Sequence, residues 1–145
     1  MKLPKELSNG FLIFLGIAVY FLVLSILGLS NLFYLRLLNV IFIFYGVNRT
    51  IQMNTKNGQN DFVSNGVSAM ATAVVGVSLS VLGLLIYIYA RGGDAFVPLL
   101  AESFLFGGDP SVPAYCISLL FEGLASAVIV TLVLMLYTNN KYAVD

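Results

Sequence analysis

The sequence predicts an all-α integral membrane protein, a four-transmembrane-helix bundle with a short interfacial or re-entrant segment between its third and fourth spans. Three observations carry that expectation. Of the 145 residues, 59% are hydrophobic and only 10% are charged, far outside the composition of ordinary soluble domains. The apolar residues fall in long, nearly uncharged runs, close to the length of a helix that crosses about 30 Å of hydrocarbon. Polar or glycine-rich stretches of the kind that mark turns and loops separate the runs.

The first span covers residues 11–29, FLIFLGIAVYFLVLSILGL, without a single charge. Lys2 and Lys5 precede it as the basic region of a cleaved signal peptide would. The run is longer than a usual signal core, however, and no A-x-A-like site follows it, so retention is expected. Ser30-Asn31 is a very short turn, which makes residues 32–47 an antiparallel second span in a helical hairpin. That span is slightly short and contains Arg36 and Asn39. Residues 48–66 are polar and rich in Asn, with turn signals at Asn57-Gly58 and Asn65-Gly66, and read as an exposed loop. Asn48-Arg49-Thr50 matches a glycosylation acceptor, but it lies against a span end and so short a pattern is common by chance. Residues 68–90 form an uncharged third span, and residues 115–137 form a fourth whose one charge is Glu122. Tyr87, Tyr89, Tyr115 and Tyr137 stand near span ends, where amphipathic rings mark the membrane interfaces.

Residues 91–114 form the outer segment, bracketed by Gly92-Gly93-Asp94 and Gly107-Gly108-Asp109-Pro110. Its middle, AFVPLLAESFLF, is too short to span and too apolar for a solvated loop, which points to a piece lying in the interface or re-entering the bilayer. A wet loop is the alternative reading. Pro98 suits the first turn of a short helix, and Pro113 the first turn of the fourth span with Ser111 as its cap. With four spans both termini share one side, together with Lys2, Lys5, Arg49, Lys56 and Lys141, against Arg91 alone on the other. The positive-inside rule then makes both termini cytoplasmic.

Seven basic and seven acidic residues cancel, so no nucleic-acid partner is expected. There is no histidine, and Cys116 is the single cysteine. The commonest general base and the commonest metal ligands are therefore missing, and neither a catalytic residue nor a metal or cofactor is expected. The chain does not read as an enzyme. Helix association in lipid depends on close packing and interhelical hydrogen bonds. Ala69, Thr72, Ala73, Gly76, Ser80 and Gly83 make a small-residue stripe on the third span, and Gly123, Ala127 and Thr131 make another on the fourth. The two stripes are expected to pair with each other, or alternatively to serve a homodimer.

Arg36 and Glu122 are the charges within spans, where insertion costs about 2.5 to 3.5 kcal/mol at the bilayer centre. Counted from Asn31 and Tyr115, they lie at similar depths, about 7.5 and 10.5 Å at 1.5 Å per residue. Asn39 shares the face of Arg36, and Ser118 and Ser126 share that of Glu122. These five residues form a candidate intramembrane polar cluster with three readings: a site for an ion, proton or anionic ligand, an ion pair that fixes helix register, or an Arg36 that merely reaches to the interface.

The stretches FEGLASAVIVTLVLMLY in the fourth span and LLNVIFIFYGVNR at the end of the second resemble an uncharacterised family of four-span bacterial membrane proteins, a domain of unknown function common in Bacteroidetes. The likeness spans all four helices and centres on Glu122-Gly123 and Asn48-Arg49; residues 91–114 have no counterpart in its pattern. The resemblance implies a bacterial inner-membrane location and brings no activity or ligand. Two functions are expected on these grounds: a structural or accessory subunit docking membrane partners, or an oligomeric small transporter or channel component that uses the polar cluster. Besides the lipid bilayer, the partner is then another protein or a further copy of the chain.

Overall fold

A computed structural model of the chain describes residues 4–28, 35, 37–58, 61–95 and 111–143. Among them lie four α-helices, α1 (Lys5–Ile26), α2 (Val40–Lys56), α3 (Phe62–Ala90) and α4 (Val112–Ala143), with a 3-10 turn at Gly93–Ala95 after α3. Three are long and apolar enough to cross a membrane: α1, α3 and the Val112–Thr138 part of α4. Helix α2 has 17 residues and a polar second half, NRTIQMNTK, and is not one of these three.

This corrects two sequence expectations. The second helix does not end at residue 47 but runs on to Lys56, and residues 62–66, placed in an exposed loop, are the first turns of α3. Burial supplies the reason. On α2 the buried positions are Ile43, Gly46, Val47, Thr50, Ile51 and Asn54, each three or four residues from another as one helix face requires. On α3 the same spacing runs through Asn65, Ser68, Ala69, Thr72, Ala73, Gly76 and Val77. The polar residues in these series face other helices, not water. The second helix therefore ends nine residues, about two and a half turns, later than its hydropathy suggests. The expected interfacial or re-entrant piece lies mostly at residues 96–110, outside the described residues.

Local signals set the helix ends. Asn57 closes α2, its N–H reaching the carbonyls of Met53 and Asn54, and Gly58 follows at φ +86°, a left-handed conformation that Gly adopts without a Cβ penalty. At the start of α3, Asp61 Oδ2 accepts from the Ser64 N–H at 3.0 Å and from the Ser64 hydroxyl at 2.8 Å, an N-cap that satisfies an otherwise orphaned donor. Those two bonds, the backbone one foremost, hold the Asp61 carboxyl below its ordinary pKa. Ser111 caps α4, its Oγ accepting from the Ala114 N–H at 3.4 Å, with Pro113 in the first turn.

The packing pairs are α1 with α3, α3 with α4, α1 with α2, α2 with α3 and α2 with α4. Ile13 of α1 is 1% exposed and occupies the space left by glycines on two other helices. A Cβ added at Gly76 of α3 would come 2.7 Å from Ile13 Cβ, and one added at Gly46 of α2 would collide with Ile13 Cγ1. Gly10 likewise lies against Val75, 2.5 Å from the position of an added Cβ. Around Ile13 gather Ile43, Val47, Ala73, Val77, Ala127 and Val130, all buried. A second cluster of Ile88, Val112, Tyr115 and Cys116 joins the end of α3 to the start of α4. The outward faces are apolar as well: Ile26 is 84% exposed and Ile86 70%, as suits helices whose surroundings are lipid tails.

Two outcomes are expected. Gly76→Ala should destabilise the protein by about 1 to 2 kcal/mol, an overpacking cost partly offset by the better helix propensity of Ala. Adding Ile13→Ala should recover part of that loss in a double-mutant cycle of unfolding in mixed micelles; strict additivity would mean that the two positions do not touch. The second concerns acid. Because the folded pKa of Asp61 is depressed, its stabilisation is complete above the unfolded value and is lost as pH falls through the folded one. The difference in thermal midpoint between wild type and Asp61→Asn should therefore shrink on acidification below the ordinary Asp range.

Candidate functional site

Two polar features are built into the helix packing, at opposite ends. The first joins α1, α2 and α3 beside the start of α1. Asn9 Nδ2 donates to Thr50 Oγ1 at 2.8 Å and lies 3.5 Å from Met53 Sδ. Thr50 Oγ1 is 2.7 Å from Thr72 Oγ1, and Thr72 donates to the Ser68 carbonyl at 3.0 Å. A hydroxyl has one proton, so a Thr72 that donates to Ser68 must accept from Thr50, and the chain of bonds runs one way from α1 through α2 to α3. Ser68 Oγ extends the seam by donating to Glu6 Oε1 at 2.5 Å. Asn9, Thr50 and Thr72 are essentially inaccessible to solvent.

Asn54, one turn beyond Thr50 on the same face of α2, is fully buried, and neither atom of its amide has a hydrogen-bond partner among the described residues. An unmet buried amide is destabilising by about 1 to 3 kcal/mol. The seam therefore combines one well-satisfied relay with one unsatisfied group.

The second feature is a partly open cleft of about 310 Å³, at the low end of the volumes typical of small-molecule sites. Helix α3 forms its floor through Val77, Ser80, Gly83, Leu84 and Tyr87; α1 forms one wall with Phe14, Ile17 and Phe21, α4 the other with Tyr115, Leu119, Glu122 and Ser126, and Asn39 and Val40 stand at the start of α2. The lining is mainly apolar. Ser80 and Ser126 leave space because they project little from their helices, whereas the gaps at Gly83 and Gly123 are taken by Phe14 and Val77. At the rim, Tyr87 packs edge-on against Phe21 with centroids 5.2 Å apart, and its hydroxyl lies 3.3 Å from Ser25 Oγ. The Arg91 guanidinium sits 5.9 Å from the centre of the same ring. Tyr20 donates to the Leu35 carbonyl at 2.8 Å.

Of the candidate polar cluster, Asn39, Glu122 and Ser126 all line this cleft, whereas Ser118, half-buried on α4, does not. Arg36 lies outside the described residues. Glu122 is about 15 Å along α4 from Val112. The packing residues divide among several partners. Gly76 receives Ile13 and Gly83 receives Phe14, both from α1, while Gly123 of α4 receives Val77 of α3. Ala127 is completely buried, Thr131 Oγ1 lies 3.8 Å from Met70 Sδ, and Ser80 faces the cleft. The stripe on α3 thus meets α1 at Gly76 and Gly83 and α2 at Thr72, whereas Gly123 and Thr131 of α4 meet Val77 and Met70, which lie outside the stripe. Sequence reasoning missed Glu6, Asn9, Thr50, Asn54 and Ser68: Thr50 and Asn54 fell in the stretch assigned to an exposed loop, and the others drew no notice. Their three-and-four spacing was the signal that could have found them.

Compared with known proteins, the chain matches no family model, no curated protein and no solved structure. Function must therefore be argued from these two features.

Two substitutions on one helix should act in opposite directions. Thr50→Val breaks the relay and strands Asn9, and should destabilise by about 1 to 2 kcal/mol. Asn54→Leu removes an unsatisfied amide, and should be neutral or stabilising. Equal losses in an unfolding assay would show that Asn54 has partners in the folded protein.

Proposed function

We propose that this chain is a small multi-pass protein of a bacterial inner membrane whose cleft holds a small molecule within the bilayer, as the binding component of an oligomeric transporter or channel. The cleft carries this reading: about 310 Å³ bounded by apolar side chains, with Asn39, Ser80, Glu122 and Ser126 as its polar fittings. A carboxylate within a membrane helix marks a ligand or ion path by default, and a mainly apolar site with a few convergent polar groups is the usual form of a small-molecule pocket.

In this reading all four helices lie in the bilayer as a bundle. The polar half of α2 is accommodated because Thr50 and Asn54 turn toward α1 and α3. Lys5, Arg49 and Lys56 mark the cytoplasmic end with both termini, and Arg91 the outer end. The four-span resemblance noted above agrees with this arrangement. A second reading, the structural or accessory subunit, draws on the exposed ridge of Ile129, Leu132, Val133 and Leu136 on α4, which would dock a partner or another copy. Neither reading calls for catalysis.

Single cysteines in a Cys116→Ser background test the topology: a label confined to the outside should reach Arg91→Cys and not Lys56→Cys, and the reverse would invert the assignment. Native mass spectrometry in mild detergent tests the site. Wild type should retain a small molecule that Ser80→Leu, which fills the cleft, loses without a fall in thermal midpoint. A stable complex with another protein and no bound small molecule would replace this reading with the accessory one.

A further inference from the structure

Resting on the reading that the cleft holds a ligand within the bilayer, we infer that the ligand is a membrane lipid, gripped by one hydrocarbon chain and not by its head. The polar groups of the lining are largely employed by the fold itself. Ser80 donates to the Gly76 carbonyl at 2.7 Å, and Ser126 donates to the Glu122 carbonyl at 3.0 Å. Tyr20 donates to the Leu35 carbonyl, and the Tyr87 hydroxyl lies against Ser25 Oγ. Glu122, the one charged side chain among the described lining residues, has an interaction partner within the chain. Tyr115, whose hydroxyl could donate, is only 3% exposed. What remains is the Asn39 amide, whose Oδ1 is buried, together with lone pairs on the two serines. These groups are neutral, and none calls for a charge on the ligand.

Length and volume agree on a single chain. The cleft follows α3 from Val77 to Tyr87, about 15 Å at 1.5 Å per residue. That is the depth of one leaflet, half of a hydrocarbon core about 30 Å thick. An apolar cavity of about 150 Å³ takes benzene, so about 310 Å³ holds about a dozen non-hydrogen atoms. A dozen carbons set zigzag with bonds of about 1.5 Å also extend about 15 Å. One extended chain thus meets both measures, whereas a compact solute of the same volume would leave one end of the cleft unfilled.

Access is apolar too. Leu22 and Leu37 line the cleft and are themselves exposed, so a chain passing between them and the bilayer meets hydrocarbon throughout. Water is a poor substitute, because a water molecule needs about two to four polar partners and Phe14, Ile17, Phe21, Val81, Leu84 and Leu119 offer no polar side-chain atom. An unfilled cleft would forfeit dispersion contacts along its whole lining. The bilayer supplies the filling.

The test uses the full chain in nanodiscs doped with phosphatidylcholine or phosphatidylglycerol carrying a photoactivatable diazirine in the acyl chain, and reads the cross-linked residues by mass spectrometry. Both lipids should label cleft residues such as Leu84 and Leu119 to extents within about three-fold of each other, since the head is not read. Ser80→Leu should cut that labelling about ten-fold, while labels on the outward residues Ile86 and Ile129 persist and show that the variant is folded. Unlabelled lauroyl lysophosphatidylcholine should compete, and glycerophosphocholine, the same head without a chain, should not. Labelling confined to the outward faces of the wild type would overturn the lipid-chain assignment, as would cleft labelling by one head class alone or cleft labelling that a folded Ser80→Leu leaves intact. In any of these cases, a small molecule still retained by the wild type in native mass spectrometry would leave the cleft a binding site of other chemistry; retention of none would overturn the binding reading as well.

Discussion

Ile13 sits where α1, α2 and α3 meet, and the absence of side chains at Gly46 and Gly76 is what admits it. Lipid gives helices no hydrophobic reason to associate, so contact area has to come from interdigitation of this kind. A β-branched side chain with few accessible rotamers loses little entropy on entering such a slot. The two polar features are laid out from this point. One turn along each helix in one direction lie Asn9, Thr50 and Thr72, the hydrogen-bonded trio. One turn in the other direction lie Ile17 and Ser80, where the cleft begins. Widening the Ile13 contact would disturb both.

The ends differ in chemistry because the helices differ in what they present there. Toward the start of α1, three helices hold side-chain oxygens and amides close enough to bond. Toward its end, aromatic rings and small residues alternate, and packing gives way to a cleft. α3 serves both. Its seam-side residues, Ser68 and Thr72, bond to neighbours, whereas Ser80 leaves room and Gly83 receives the Phe14 ring. On the facing wall Ser126 leaves room in the same way, while Gly123 receives Val77.

Hydropathy made much of the fold legible. The apolar cores of α1, α3 and α4 were evident, and so were the Asn57-Gly58 turn and the Ser111 and Pro113 start of α4. The second helix was misplaced because a hydropathy window averages over all faces. In the stretch from Val47 to Asn54, polar Thr50 and Asn54 are buried while Asn48 and Arg49 are exposed, and the average conceals that division. Periodicity retains it. The candidate site was legible in part: intrahelical spacing brought Ser126 to Glu122, and Asn39 joined them at the same cleft, but spacing along one helix could not show that Ser118, one turn before Glu122 on the same face, falls outside the cleft lining. Nor could it foresee which small residues would be filled by a neighbour, as Gly76 is, and which would stay open, as Ser80 does.

The relay from Asn9 through Thr50 to Thr72 also constrains how the protein is made. Its members are separated by 41 and 22 residues, so α1 and α2 are synthesised before Thr72 is. Until α3 arrives, Thr50 lacks its acceptor and the polar face of α2 lacks a cover. A helix that is too polar to partition into lipid by itself then depends on a later neighbour for a stable position. Burial of the polar face of α2 is thus tied to translation of α3, and a chain truncated before residue 72 would leave the Asn- and Thr-bearing face of α2 without that cover.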